Sequence, residues 1–301
     1  MDKVDAWSLY WLSGNQDSCI PVDKGRDGLI LSSLWQRFSK KLVSQAQVLD
    51  LATGNGTVPV ALLSAQDDLN ITGVDYAKID PKKFVSNNAL ASVSFFPEVD
   101  IANLPFSNDS FDAVTSQFGF EYAELRLATE EFVRVLKPRG LFTFVLHSKN
   151  SEVVKPAIRK IAEFELIKTT DGLLENISDY ISDNISLLAL EQKAEQIVAE
   201  HSKRLSEAIS GQIFTAIGQF IAFKNQGMNN QEVQTIFDSM KKRIFAEGCR
   251  LEQLVSVSLS ENDIMEFQEH LSSLGVSVSY SKVFLNNDDE HLAWKVTGIK
   301  L

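Results

Sequence analysis

Cysteine is scarce in this chain, which has only Cys19 and Cys249. Two distant thiols form neither a disulfide framework nor a metal-ligand spacing, so a stapled secreted fold is excluded, no metal site is expected, and a reducing compartment is implied. Long apolar runs are missing too. The longest, about Ile213 to Phe223, is broken by Gln219 and falls short of the roughly 20 residues that cross a bilayer, so no membrane segment is expected. Positive charge is in the minority, with 29 Lys and Arg against 40 Asp and Glu and a net charge of -11. Tight binding to a polyanion relies on clustered cations, so nucleic acid is disfavoured as a substrate. The one short basic cluster, Lys241-Lys242-Arg243, reads as the solvated last turn of a helix. The first residues are charged and aromatic rather than basic and then apolar, so no export signal is expected and the location reads as cytoplasmic.

What the chain does have is the run Val48 to Gly56, VLDLATGNG. An apolar strand passes an acid, Asp50, and enters a turn spaced Asp50-x-Ala52-x-Gly54-x-Gly56, followed by a helix-compatible stretch from Val58 to Leu63. This is the first strand, turn and helix of a nucleotide-binding α/β unit. A diphosphate is a poor ligand for it. Pro59 removes a donor from the helix start, and the Asp50 carboxylate would oppose the phosphates. A ligand carrying an ammonium and a sulfonium in place of phosphate would gain from the same acid.

At this point the chain resembles the class I S-adenosylmethionine-dependent methyltransferases, whose first motif has this acidic-x-Gly/Ala-x-Gly-x-Gly form. Later segments follow in the order the resemblance demands. Ile71 to Tyr76 is a short β-rich run that reaches Asp75 nineteen residues after Gly56, close to the distance of about 20 at which a carboxylate grips ribose hydroxyls. Val99 to Phe106 looks like the family's loop after the third strand, which implies that Asp100 accepts from the adenine amino group and Ile101 packs on the ring. Phe111 to Tyr122 matches the fourth strand and its exit, Glu130 to Gly140 the helix and turn that follow, and Leu141 to Leu146 the fifth strand. The resemblance implies a cofactor set of Asp50, Ala52, Thr53, Gly54, Asn55, Gly56, Asp75, Tyr76, Asp100, Ile101, Gln117 and Tyr122. S-adenosylmethionine is the implied cofactor and S-adenosylhomocysteine its product.

The implied fold is α/β: a Rossmann-like, seven-stranded, mostly parallel sheet with an antiparallel last strand, plus a helical insertion after the fifth strand. Residues 1–45 read as an N-terminal aromatic helical flap over the cofactor or substrate or, alternatively, as a helix packed on the sheet, with Trp7, Tyr10 and Trp11 spaced to share one helical face. Residues 46–150 read as the cofactor-binding core. From about Ser151 to Ser260 the apolar residues fall at threes and fours, and Pro and Gly are sparse. A closing helix from Glu261 and a hairpin across Asn286 to Asp289 complete the core over 261–301. The insertion leaves beside the methyl donor, so it reads as a lid over the acceptor or, alternatively, as an interface in a homodimer.

The expected chemistry is methyl transfer to an O or N atom of a small-molecule or carrier-bound acceptor. Gln117, Glu121 and Tyr122 after the fourth strand and His147 after the fifth are the groups near the expected methyl position. His147 and Gln117 are the catalytic candidates, His147 as the base because an imidazole titrates near neutrality. Ser116-Gln117-Phe118-Gly119 stands where amino methylation of adenine or glutamine would call for Asn-Pro-Pro-Tyr. The alternatives are an RNA or protein methyltransferase and a non-catalytic S-adenosylmethionine-binding regulator.

Overall fold

The computed structural model describes residues 3–15, 26–168, 172–201, 210–285 and 290–301. Cys19, the apolar positions 205, 208 and 209 and the polar turn 286–289 lie outside the described residues. The elements run α1 (Lys3–Leu12), α2 (Arg26–Ser39), β1 (Gln47–Leu51), α3 (Thr57–Leu63), β2 (Asn70–Val74), α4 (Pro81–Phe84), β3 (Ser94–Phe96), β4 (Phe111–Gln117), α5 (Leu125–Val135) and β5 (Leu136–His147). They continue with α6 (Val154–Lys168), α7 (Leu173–Ile181), α8 (Leu187–His201), α9 (Ser210–Asn225), α10 (Asn230–Val257), α11 (Glu261–Ser273), β6 (Val276–Leu285) and β7 (Glu290–Lys300).

The seven strands form one sheet in the order β3-β2-β1-β4-β5-β7-β6. β1 through β5 pair in parallel, and β7 runs antiparallel to both of its neighbours. Alternation along the strands sends side chains to two apolar layers. Leu49, Leu51, Val114, Phe142, Phe144 and Trp294 enter one. Val48, Ala113, Val145 and Ala293 enter the other, with Trp35 and Phe38 of α2 and Leu62 of α3. Burial on both faces explains why these strands read as nearly unbroken apolar runs.

Two local expectations change. The fifth strand begins at Leu136 rather than Leu141, with a register shift in which Phe111 to Ala113 of β4 faces Leu136 to Leu141 of β5. Arg139 takes a positive φ of 64° within that bulge, so Pro138-Arg139-Gly140 kinks the strand without ending it. Lys241-Lys242-Arg243 sits in the middle of the 28-residue α10, not in a last turn.

The chain divides into two compact units, one of residues 156–252 and one of residues 2–155 with 253–301. The first is helical, with a core of its own that includes Phe164, Ile177, Phe220 and Phe237. The second holds the whole sheet. Among the described residues no helix is long and apolar enough to cross a membrane.

Candidate functional site

Strand order reverses between β1 and β4, and in open α/β sheets ligands bind at such a switch point, outside the carboxyl ends of the strands. There β1 runs into a turn in which Ala52, Gly54 and Gly56 have φ of 52°, 50° and 83°. Asp75, at the end of β2 and 7% exposed, ties this turn to the next loop. Its Oδ2 accepts the Gly54 N–H and its Oδ1 the Ala77 N–H, each at 2.8 Å. Gly54 must be glycine for a second reason, because a Cβ there would come within 2.5 Å of the Trp11 ring.

Helix α1 is fastened over the same turn. Asn55 Nδ2 donates to the backbone oxygens of Trp11 at 2.8 Å and Asn15 at 2.5 Å, and Ser8 Oγ accepts the Lys78 N–H at 3.0 Å. Trp7 stacks on Trp11 at 5.8 Å, Tyr10 meets both edge-on, and Trp7 meets Tyr122 edge-on at 5.5 Å. Such aromatic pairs contribute about 0.5–1.5 kcal/mol each beyond their buried area. Three of these pairs lie within α1; its hold on the strand ends comes from Trp7 against Tyr122, from the packing of this aromatic face with Ala77, Ile79 and Phe95, and from the Asn55 and Ser8 hydrogen bonds.

Asp50 lies in the sheet itself and is 1% exposed. Thr115 Oγ1 donates to its Oδ1 at 2.8 Å, while Oδ2 has no hydrogen-bond partner. Burial pushes this acid up to about 7, against the pull of the Thr53 and Thr115 hydroxyls, and the Asp75 charge adds a smaller push. Thr53 Oγ1 exerts that pull from nearby without completing a hydrogen bond. Burial also takes Asp75 to about 6, against the N–H bonds from Ala77 and Gly54. Both acids titrate above their ordinary value of 3.8, so from about pH 4 to 7 the folded protein keeps protons that the unfolded chain has released. The contribution of these two acids is therefore fully present below that window and declines as pH rises through it, by on the order of 4 kcal/mol at Asp50. Urea denaturation at pH 5 and pH 8 should show the ligand-free protein less stable at pH 8, with Asp50→Asn flattening the difference.

The other residues expected to hold a nucleoside are placed less deeply. Asp100 is exposed and turns its own loop, with Oδ1 accepting the Ala102 N–H at 2.9 Å. Ile101 beside it is buried, and Tyr76 is 57% exposed.

The exits of β4 and β5 bring together residues distant in sequence. Gln117 Oε1 accepts from the buried Trp35 Nε1 at 2.6 Å. Phe118 then takes a left-handed φ of 56°, a conformation that costs energy and gathers at functional sites. Gly119 lets this loop pack onto Ala52, whose Cβ would collide with any side chain there. A short 3-10 turn, Phe120–Tyr122, follows. It carries Glu121 to the end of β5, where Glu121 Oε1 accepts from the backbone N–H of His147 and lies within hydrogen-bond distance of its Nδ1, each at 2.7 Å. The His147 side chain is fully buried, stacked on Phe118 at 4.5 Å and 28° and met edge-on by Tyr122 at 6.0 Å. Trp35, Phe118 and the pairing of Glu121 with His147 are the parts that sequence reasoning missed. The available signal was that Glu121 and His147 follow neighbouring parallel strands at the same sheet edge.

A family described as a methyltransferase domain matches residues 48–140. The ubiquinone/menaquinone biosynthesis C-methyltransferase UbiE of Rickettsia prowazekii is 26% identical over 235 residues, covering 69% of this chain and 93% of that protein. UbiE of Bartonella quintana is 30% identical over 155 residues (48% of this chain, 55% of that protein). Demethylmenaquinone methyltransferase of Thermotoga maritima is 37% identical over 103 residues (33% and 42%). The chain thus spans nearly all of the first relative and about half of the other two. A SAM-dependent methyltransferase from Aquifex aeolicus has a similar structure, with TM-score 0.44 and 13% identity over 92% of this chain and 100% of that one.

Proposed function

The chain belongs to the class I S-adenosylmethionine-dependent methyltransferases, and from that premise we propose that it methylates a small molecule bearing an acidic hydroxyl. The observation that carries this reading is the buried His147, held by Glu121 at the sheet edge where the glycine turn also ends. The turn suits the cofactor. Asp50 Oδ2 and Asn55 Oδ1 are buried acceptors without partners, and an uncompensated buried acceptor invites a donor such as an ammonium. Asp75 has lone pairs left for ribose hydroxyls after taking two N–H bonds. Asp100 and Ile101 would take the adenine amino group and ring. Ala52, Thr53, Gly54 and Gly56 shape the turn, and Tyr76, Gln117 and Tyr122 complete the set, with α1 as the flap. When bound, S-adenosylmethionine supplies an electrophilic methyl group on its sulfonium.

The chain's own part is to orient the acceptor, exclude water and take a proton. His147 removes the hydroxyl proton of the acceptor. For an aromatic hydroxyl, the resulting anion shares its charge between oxygen and the adjacent ring carbons. The same base therefore serves methylation at oxygen or at carbon. The names of the UbiE relatives favour carbon and a quinol-like ring over the O or N atom expected from sequence. The helical residues 151–260 are assigned to acceptor choice.

The test is transfer from ¹³C-methyl S-adenosylmethionine to a reduced quinone lacking one ring methyl group, with calorimetry of cofactor binding in parallel. A C–CH₃ or O–CH₃ resonance in the product supports the reading and identifies the atom. Tight cofactor binding without transfer to any quinol or phenol would refute the acceptor class. Binding of NADH in place of S-adenosylmethionine would refute the cofactor.

A further inference from the structure

We propose that Glu121 is a positioning residue for His147: it fixes the imidazole as the Nδ1–H tautomer and so reserves Nε2 as the proton-accepting atom. Glu121 Oε1 sits 2.7 Å from the His147 backbone nitrogen and 2.7 Å from Nδ1. A backbone N–H can only donate, so Oε1 spends one lone pair there and meets Nδ1 with the other, which requires the ring proton on Nδ1. Stacking on Phe118 and the edge contact of Tyr122 hold the ring plane, and the Glu121 contact at Nδ1 selects which nitrogen faces the carboxylate. Glu121 is itself buried, and its second oxygen, Oε2, has no hydrogen-bond partner. That burial is a poor arrangement for a carboxylate whose task is only structural, since a neutral amide oxygen would accept both N–H groups equally well. It is a good arrangement for balancing the imidazolium formed when Nε2 takes up a proton. Glu121 and Tyr122, both from the β4 exit, are titratable groups that lie against the ring. β7 brings Ala293 alongside, and the returning segment brings the backbone of Leu259. The proposal rests on His147 acting as the base, and the experiment separates the two claims.

The full chain, labelled with ¹⁵N-histidine, is compared with Glu121→Gln and Glu121→Leu, and His147→Ala assigns the resonances. Wild type is expected to show a protonated Nδ1 and an unprotonated Nε2. Glu121→Gln keeps that tautomer but moves the acid limb of kcat/KM to lower pH by about one unit, because the compensating charge is gone. Glu121→Leu mixes the tautomers and lowers kcat by about 10- to 10²-fold, with little change in the acceptor KM. An Nε2–H tautomer in wild type, or an unmoved acid limb in Glu121→Gln, overturns the positioning role, and neither readout depends on Glu121→Leu folding. An Nδ1–H tautomer in wild type that mixes in Glu121→Leu, alongside normal turnover of His147→Ala, would leave the positioning intact and overturn the base.

Discussion

Exchanging residues 156–252 for a short linker should abolish turnover of the natural acceptor while S-adenosylmethionine still binds. The cut follows the boundary between the two compact units, and the unit that remains keeps all seven strands and both apolar layers. The two ends left behind are already joined at their roots. Ser148 bridges Leu259, the Leu259 N–H donates to the His147 oxygen at 2.9 Å, and the Lys149 N–H donates to the Leu259 oxygen at 3.1 Å. A linker therefore closes a short gap at little entropic cost. Every group assigned to the cofactor precedes residue 123, so calorimetry should find affinity within a few-fold of the parent, while acceptor turnover is lost with the segment that leaves from the carboxyl end of β5. Sedimentation and thermal melting come first, because a truncated chain can expose apolar surface. A folded deletion that methylates the natural acceptor at the parental rate would take acceptor choice away from these helices.

The sheet was legible because its strands obey local rules. Val48 to Leu51 is apolar up to a glycine turn, and each later segment reaches its acid or its turn at the spacing a parallel α/β unit requires. Where local chemistry has two solutions, the sequence misled. Pro138 and Gly140 signal a turn, yet the sheet absorbs them as a bulge, because pairing on either side outweighs one kink. The lysines of α10 resemble a helix end, but the only breaker after them within α10 is Gly248, which the helix absorbs by packing it against the Phe164 ring. The site was half legible for a different reason. Asp50, Asp75 and the glycines are neighbours through one turn and its flanking strands. The partners that set their chemistry come from far away: Trp11 against Gly54, Trp35 on Gln117, and Glu121 on His147. Pairing β4 with β5 brings Glu121 to His147, and docking α1 and α2 on the sheet brings Trp11 and Trp35; no periodicity within a segment encodes either.

His147→Ala is expected to lower turnover by about 10²- to 10⁴-fold with little change in cofactor affinity, the loss typical of removing a positioned general base. The parent enzyme should lose activity on the acid side as the imidazole charges, and the variant should lose that limb and follow the acceptor's own ionisation. Truncating a side chain that is fully buried and bonded to Glu121 also disturbs packing, so His147→Gln is the necessary companion. Its amide can still donate to Glu121 but takes no proton at neutral pH, and an equal loss in both variants assigns the effect to proton removal rather than to the cavity. Gln117→Ala should behave otherwise. That amide is held by Trp35 at 2.6 Å, and releasing it should weaken binding and rate together, without altering the pH profile. If catalysis here needs only proximity, His147→Ala would show a mild loss and an unchanged acid limb. Near-normal turnover at every pH would remove the histidine from the mechanism and leave orientation beside the sulfonium as the whole contribution of the β5 exit.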